Sequence, residues 1–128
     1  MTGLVVDTSA WIDFFSGREV PTLEEALSQG TIILPPIVIS ELITGARTPR
    51  DRAAVQDLIA DLKIADTPLG HWVRVGELRR DLDQRGLRVS IPDAHIAQCA
   101  LDQNAWLLSR DRIFGDVAKM SRLRVLTD

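Results

Sequence analysis

Short apolar runs alternate along this chain with longer stretches in which apolar residues recur every three or four positions. Gly3-Leu4-Val5-Val6 is the first run, and its unbroken apolarity is that of a strand covered on both faces. Asp7-Thr8-Ser9 then supplies a helix cap ahead of Trp11, Phe14 and Phe15. Pro21-Thr22 opens a second helix, with Thr22 and Glu25 at capping-box spacing and Gly30 as its stop. Thr31 to Leu34 reads as a second strand closed by Pro35-Pro36, and a third helix follows from Ile37 to Ala46. Thr48-Pro49 starts a fourth, whose stripe is Val55, Leu58, Ile59 and Leu62. A fifth runs from Leu69 to Arg85 and ends at Gly86, and a sixth begins at Pro92 and carries Ile96, Ala97, Ala100 and Leu101. Trp106 to Leu108 is a strand, Ile113 to Met120 the last helix and Leu123 to Leu126 the last strand.

Apolar strands alternating with helices imply an α/β class, a parallel sheet with both faces covered. The 128 residues suit one domain spanning 1–128, and 45% apolar content is enough for one core. No apolar run is long enough to span a membrane. Met1-Thr2-Gly3 lacks the basic start of a signal peptide. The single cysteine, Cys99, excludes an internal disulfide or a CxxC metal knot and makes a reducing cytoplasm the simplest compartment.

A net charge of −3 argues at first against a nucleic-acid partner. Setting aside four of the 18 acids as metal ligands leaves 14 against 15 Lys and Arg, so the remainder is near neutral. Charge alone decides nothing.

In open α/β sheets, ligands bind beyond the carboxyl ends of the strands. Asp7 stands directly after the first strand, and Asp111 three residues after Leu108. Glu41 sits in Ile37-Val38-Ile39-Ser40-Glu41-Leu42-Ile43, apolar on nearly every side, and Asp93 continues the buried stripe of the sixth helix. Each acid has a plainer reading: Asp7 as a cap, Asp93 as a first-turn acid, Asp111 as a turn residue, Glu41 on an exposed face. Taken together, those readings require four coincidences, because buried carboxylates are rare unless paired or metal-bound. Two carboxylates about 4 Å apart repel by roughly 4 kcal/mol at an effective dielectric near 20, so a cluster of four takes up protons or a cation. An all-oxygen set suits Mg²⁺ or Mn²⁺ better than Zn²⁺. Such ions activate water and stabilise the leaving oxygen in phosphodiester cleavage.

Four segments now resemble a known family in order and in register. Val5-Val6-Asp7-Thr8-Ser9-Ala10-Trp11-Ile12 resembles the opening of PIN domains, especially the VapC toxins of bacterial toxin–antitoxin pairs. Ile39-Ser40-Glu41-Leu42, Pro92-Asp93-Ala94-His95-Ile96-Ala97 and Leu107-Leu108-Ser109-Arg110-Asp111-Arg112-Ile113-Phe114 resemble the second, third and fourth motifs. The resemblance implies a three-layer α/β/α sandwich with a central parallel sheet of four to five strands. It further implies a Mg²⁺-dependent endoribonuclease, with Mn²⁺ as a substitute, acting on transfer or ribosomal RNA. A VapB-like antitoxin would neutralise it, the toxin would form a homodimer, and promoter DNA would be met only through the antitoxin.

Carried over by position, Asp7, Glu41, Asp93 and Asp111 form the acidic site. Asp7 and Asp93 are the first choices for direct metal ligands. Glu41 either binds metal or orients the attacking water, and Asp111 either holds a second metal or completes the field. Ser9 and Ser109 orient neighbouring carboxylates. Asp116 is a candidate fifth acid, although on the last helix a solvated position is simpler. Arg110 and Arg112 flank Asp111 where they would grip phosphates, or are ordinary loop arginines. Arg47, Arg50 and Arg52 fit a solvated helix start, and Arg79 to Arg85 a mixed-charge solvated face. Trp11, Phe14 and Phe15 fit the core, with part of that face left for an antitoxin segment. His71 and His95 are not placed as a nuclease base, His95 pointing away from Asp93, and Cys99 reads as core. The competing readings are a PIN nuclease of RNA processing, a silent PIN-like binding module, and, more weakly, a phosphate-binding switch built on Asp7.

Overall fold

The computed structural model describes residues 2–128, which form seven helices around one five-stranded sheet. In chain order the elements are β1 (Leu4–Val6), α1 (Thr8–Phe15), α2 (Pro21–Gln29), β2 (Ile32–Leu34), α3 (Pro36–Gly45) and α4 (Pro49–Asp61). They continue with β3 (Lys63–Ile64), α5 (Leu69–Gln84), α6 (Ile91–Asp102), β4 (Trp106–Leu108), α7 (Arg112–Met120) and β5 (Val125–Leu126). The sheet is parallel throughout, in the order β3-β2-β1-β4-β5.

That order positions the site. From β1 the chain travels outward through β2 to β3, then returns to the other side of β1 to lay down β4 and β5. Right-handed crossovers in opposite directions place helices on opposite faces, which makes three layers. The reversal leaves a crevice between β1 and β4 at their carboxyl ends, where Leu4, Val5 and Val6 pair with Trp106, Leu107 and Leu108. The interior strands β1, β2 and β4 are buried almost throughout, as their unbroken apolar runs require.

Two local expectations change. The cap of α2 is not the Thr22–Glu25 pair. Val20 holds the cap position and its N–H donates to the Glu24 carboxylate at 2.9 Å, while Thr22 is drawn to Asp128. The two-residue edge strand β3 had no forecast, because Lys63 and Ile64 are both exposed and leave no apolar run. Gly30 does stop α2, at φ +70°, where a side chain would be strained.

Helices α5 and α6 pack along one another, and their interface is not wholly apolar. His71, His95 and Cys99 are 0–1% exposed within it. Burial, with a smaller push from His71, holds His95 down at about 4, and burial pushes the Cys99 thiol up to about 12. The Arg79 to Arg85 stretch is solvated only in part: Leu82 is fully buried, and half-buried Arg79 donates through Nε to the Val89 carbonyl at 2.8 Å. Among the described residues, no helix is long and apolar enough to cross a membrane.

Candidate active site

Asp7 sits one residue beyond β1, so its carboxylate opens into the crevice while its backbone caps α1. It is 7% exposed, and both oxygens are held. Oδ1 accepts from the Thr8 N–H at 2.7 Å. Oδ2 accepts from the hydroxyls of Ser9, at 3.0 Å, and Ser109, at 2.9 Å. These donors fix its orientation. Ser109 Oγ accepts in turn from the Asp111 N–H at 3.0 Å, so one buried hydroxyl joins the end of β1 to the loop after β4. The orienting role expected of both serines is the one they occupy.

Asp111 caps α7, its Oδ1 accepting from the Ile113 N–H at 3.2 Å. Its side chain is exposed, as a rim position requires. Glu41 is also exposed, which corrects the expectation of a helix apolar on nearly every side: α3 buries Val38 and Leu42, and Glu41 lies on the face between them and solvent. Its carboxylate is nevertheless tied down, since the Thr8 hydroxyl donates to Oε1 at 2.8 Å. Thr8 thus links α1 to α3 at the site, a role the sequence left unassigned. Its only signal is its place between Asp7 and Ser9.

Asp93 is half-buried at the third position of α6, whose first turn is capped by the Ser90 hydroxyl accepting from the Asp93 N–H at 3.2 Å. Burial raises the Asp93 carboxyl above its ordinary value, Ser90 pulls the other way, and the charges of Asp111, Asp7 and Glu41 raise it further. Those three are the acids the sequence grouped with it, so the fold brings together four acids spread over more than a hundred residues. Asp116, half-buried on α7, is absent from that set of charges.

The chemistry of the donors fits a hard divalent cation. Every candidate ligand is a carboxylate oxygen, and ion pairs among the described residues use Asp13, Asp81, Asp83 and Asp102 but none of these four acids. Among the described residues, no three of the acids bring oxygens within 4.8 Å of one another. Arg110 is turned aside: it lies 3.7 Å from Asp13 and donates to the Asp128 carbonyl at 3.1 Å. Arg112, at the first position of α7, is exposed, as are Arg47, Arg50 and Arg52.

Beside the acids runs an apolar groove of about 620 Å³ between α1, α3 and α4, with Glu41 on its wall. Ile12, Phe15, Leu42 and Val55 line it. Trp11 is fully buried beneath, stacked 6.0 Å from Phe15, which itself stays 39% exposed. The aromatic face thus divides between core and groove.

Comparison with known proteins agrees with this fold. The family model of the PIN domain matches residues 4–120. A search of curated proteins by sequence finds no match. Among solved structures, the DNA-bound VapBC from Salmonella typhimurium superposes with a TM-score of 0.83 at 22% identity, over 99% of this chain and 98% of that one. VapBC2 from Rickettsia felis, bound to a promoter DNA fragment, gives 0.75 at 23% identity over 97% of both chains. VapBC-5 from Mycobacterium tuberculosis, of the VapBC family of toxin–antitoxin systems, gives 0.72 at 22% identity over 100% of both.

Proposed function

This chain belongs to the PIN domain family, and on that premise we propose that it is a metal-dependent endoribonuclease of the VapC type. The observation that carries the reading is Asp7, held by three donors at the carboxyl end of β1 and tied through Ser109 to Asp111 beyond β4, with Glu41 and Asp93 near enough for the charges to interact. Asp7 and Asp93 would hold Mg²⁺, with Mn²⁺ as a substitute, and the ion would supply Lewis acidity toward water and the leaving oxygen. Asp7 is fixed for this by two hydroxyls and a backbone N–H. Glu41, steadied by Thr8, stands at the solvent side, where it orients the attacking water and accepts its proton. Asp111 completes the field at the rim, and Arg112 beside it is free to meet a substrate phosphate.

The substrate is structured RNA of the translation machinery, transfer or ribosomal RNA. A VapB-like antitoxin neutralises the enzyme by laying an apolar segment into the groove whose wall includes Glu41, so that docking and occlusion of the site coincide. The toxin pairs as a homodimer and meets promoter DNA only through that antitoxin, in the cytoplasm. Cleavage of total bacterial RNA by the purified protein tests the reading. Discrete fragments that require Mg²⁺, vanish with EDTA and are lost in Asp7→Ala and Asp93→Ala are expected. Absence of cleavage by folded, antitoxin-free protein would sink it and leave a silent binding module.

A further inference from the structure

The α5–α6 interface holds a second constellation that the nuclease chemistry does not use. His95 and Cys99 are one helical turn apart on α6, and His71 faces them from α5. One ligand atom from each lies within 4.8 Å of the others, with all three side chains buried. His71 Nε2 is 2.8 Å from His95 Nδ1, and Cys99 Sγ is 3.8 to 4.0 Å from the His95 ring nitrogens. These are the donor types of zinc sites and not of magnesium sites.

The surroundings are built as the outer layer of such a site. His71 Nδ1 lies 2.8 Å from Asp102 Oδ2, so the carboxylate accepts the Nδ1 proton and leaves the Nε2 lone pair facing the cluster. Asp102 is itself held by Arg74, at 2.9 and 3.0 Å, and by Gln98, at 2.8 Å. The Trp72 ring lies parallel to that of His95, 4.7 Å away, and is itself 41% exposed. Without an ion, the Cys99 thiol has no contact closer than 3.8 Å to His95.

We propose that His71, His95 and Cys99 form a structural site for a thiolate-seeking divalent cation, Zn²⁺ in the first instance, that clamps α5 to α6. On binding, the Cys99 S–H bond breaks, its proton leaves to solvent and a sulfur–metal bond forms. His95 stays neutral, its proton moving from Nδ1 to Nε2 as Nδ1 turns its lone pair to the ion. The thiolate cancels one of the cation's two charges, and Asp102, which it shares with the exposed Arg74, offsets part of the second. Two nitrogens each about 2.0–2.1 Å from a tetrahedral ion stand roughly 3.3 Å apart, so the helices need open by only about half an ångström.

The test is a titration of metal-stripped protein with Co²⁺, read by the near-ultraviolet thiolate-to-cobalt charge-transfer band. The chain has one cysteine, so such a band reports Cys99 alone. A band that saturates at one Co²⁺ per chain, is displaced by Zn²⁺, persists in Asp7→Asn/Asp93→Asn and is lost in Cys99→Ala is expected. Folded wild-type protein that shows no band at saturating Co²⁺ overturns the proposal, whatever the variants do.

Discussion

The Ser109 hydroxyl donates to Asp7 Oδ2 at 2.9 Å across a separation of 102 residues, and Ser109 Oγ in turn accepts from the Asp111 N–H. One buried group thereby sets the spacing of two site acids. Ser109→Ala removes one of the two hydroxyls on Asp7 Oδ2, loosens that carboxylate and takes away the acceptor of the Asp111 N–H. Loss of an outer-layer partner of this kind typically costs about 10- to 100-fold in metal affinity or activity. We expect a shift of that size in the Mg²⁺ concentration that half-saturates cleavage; an unchanged Mg²⁺ dependence would deny Ser109 this role.

Asp93 carries a conflict between stability and function. Burial and the neighbouring acids raise its carboxyl, so the folded state binds that proton more tightly than the unfolded state does. The sign is destabilising at neutral pH without metal, and the penalty is relieved as pH falls through the raised value. Asp93→Asn should therefore melt higher than wild type in EDTA while losing more than about 100-fold in cleavage, more than an outer-layer loss. Mg²⁺ should raise the wild-type melting temperature more than the variant's. A variant that melts lower in EDTA would contradict the account.

Thr8 separates positioning from ligation. Its hydroxyl touches Glu41 and no other site acid, and Thr8→Val keeps the shape of the side chain. Cleavage should fall by about 10-fold, at the lower end of outer-layer effects, with Mg²⁺ affinity unchanged because Asp7 keeps its three donors. The split between rate and Mg²⁺ dependence is the measurement; a joint loss of both would place Glu41 among the metal ligands.

Most of the plan was legible because it rests on local rules. Unbroken apolar runs mark β1, β2 and β4, while Gly30 and Gly86 mark where helices stop. The four acids were legible because each stands out against its own segment. Glu41 was picked out by an apolar setting, yet it is exposed: α3 buries only Val38 and Leu42 and turns Ser40, Glu41 and Thr44 outward. Contacts between distant segments left no local trace. Thr8 meeting Glu41, and Asp102 meeting His71 and Arg74, depend on how helices pack, which periodicity does not encode. The exposed pair Lys63–Ile64 became a strand only because β2 offered it an edge.

Asp102 predicts how the fold fails in acid. Burial would raise its carboxyl, but hydrogen bonds from Arg74, Gln98 and His71 outweigh that and hold it at about 2. A carboxylate depressed from its unfolded value near 3.9 to about 2 contributes about 2 to 3 kcal/mol. That contribution is present in full above about pH 5, shrinks as the unfolded state begins to take up the proton near pH 4, and is gone below about pH 2. Asp102→Asn removes it while preserving shape. Urea unfolding of metal-free protein should show wild type ahead by about 2 kcal/mol or more at pH 6, because an amide offers one acceptor oxygen where the carboxylate offers two to His71, Arg74 and Gln98. The gap should narrow steadily between pH 4 and pH 2. A gap independent of pH would mean that packing at the α5–α6 interface, and not the charge of Asp102, accounts for the loss.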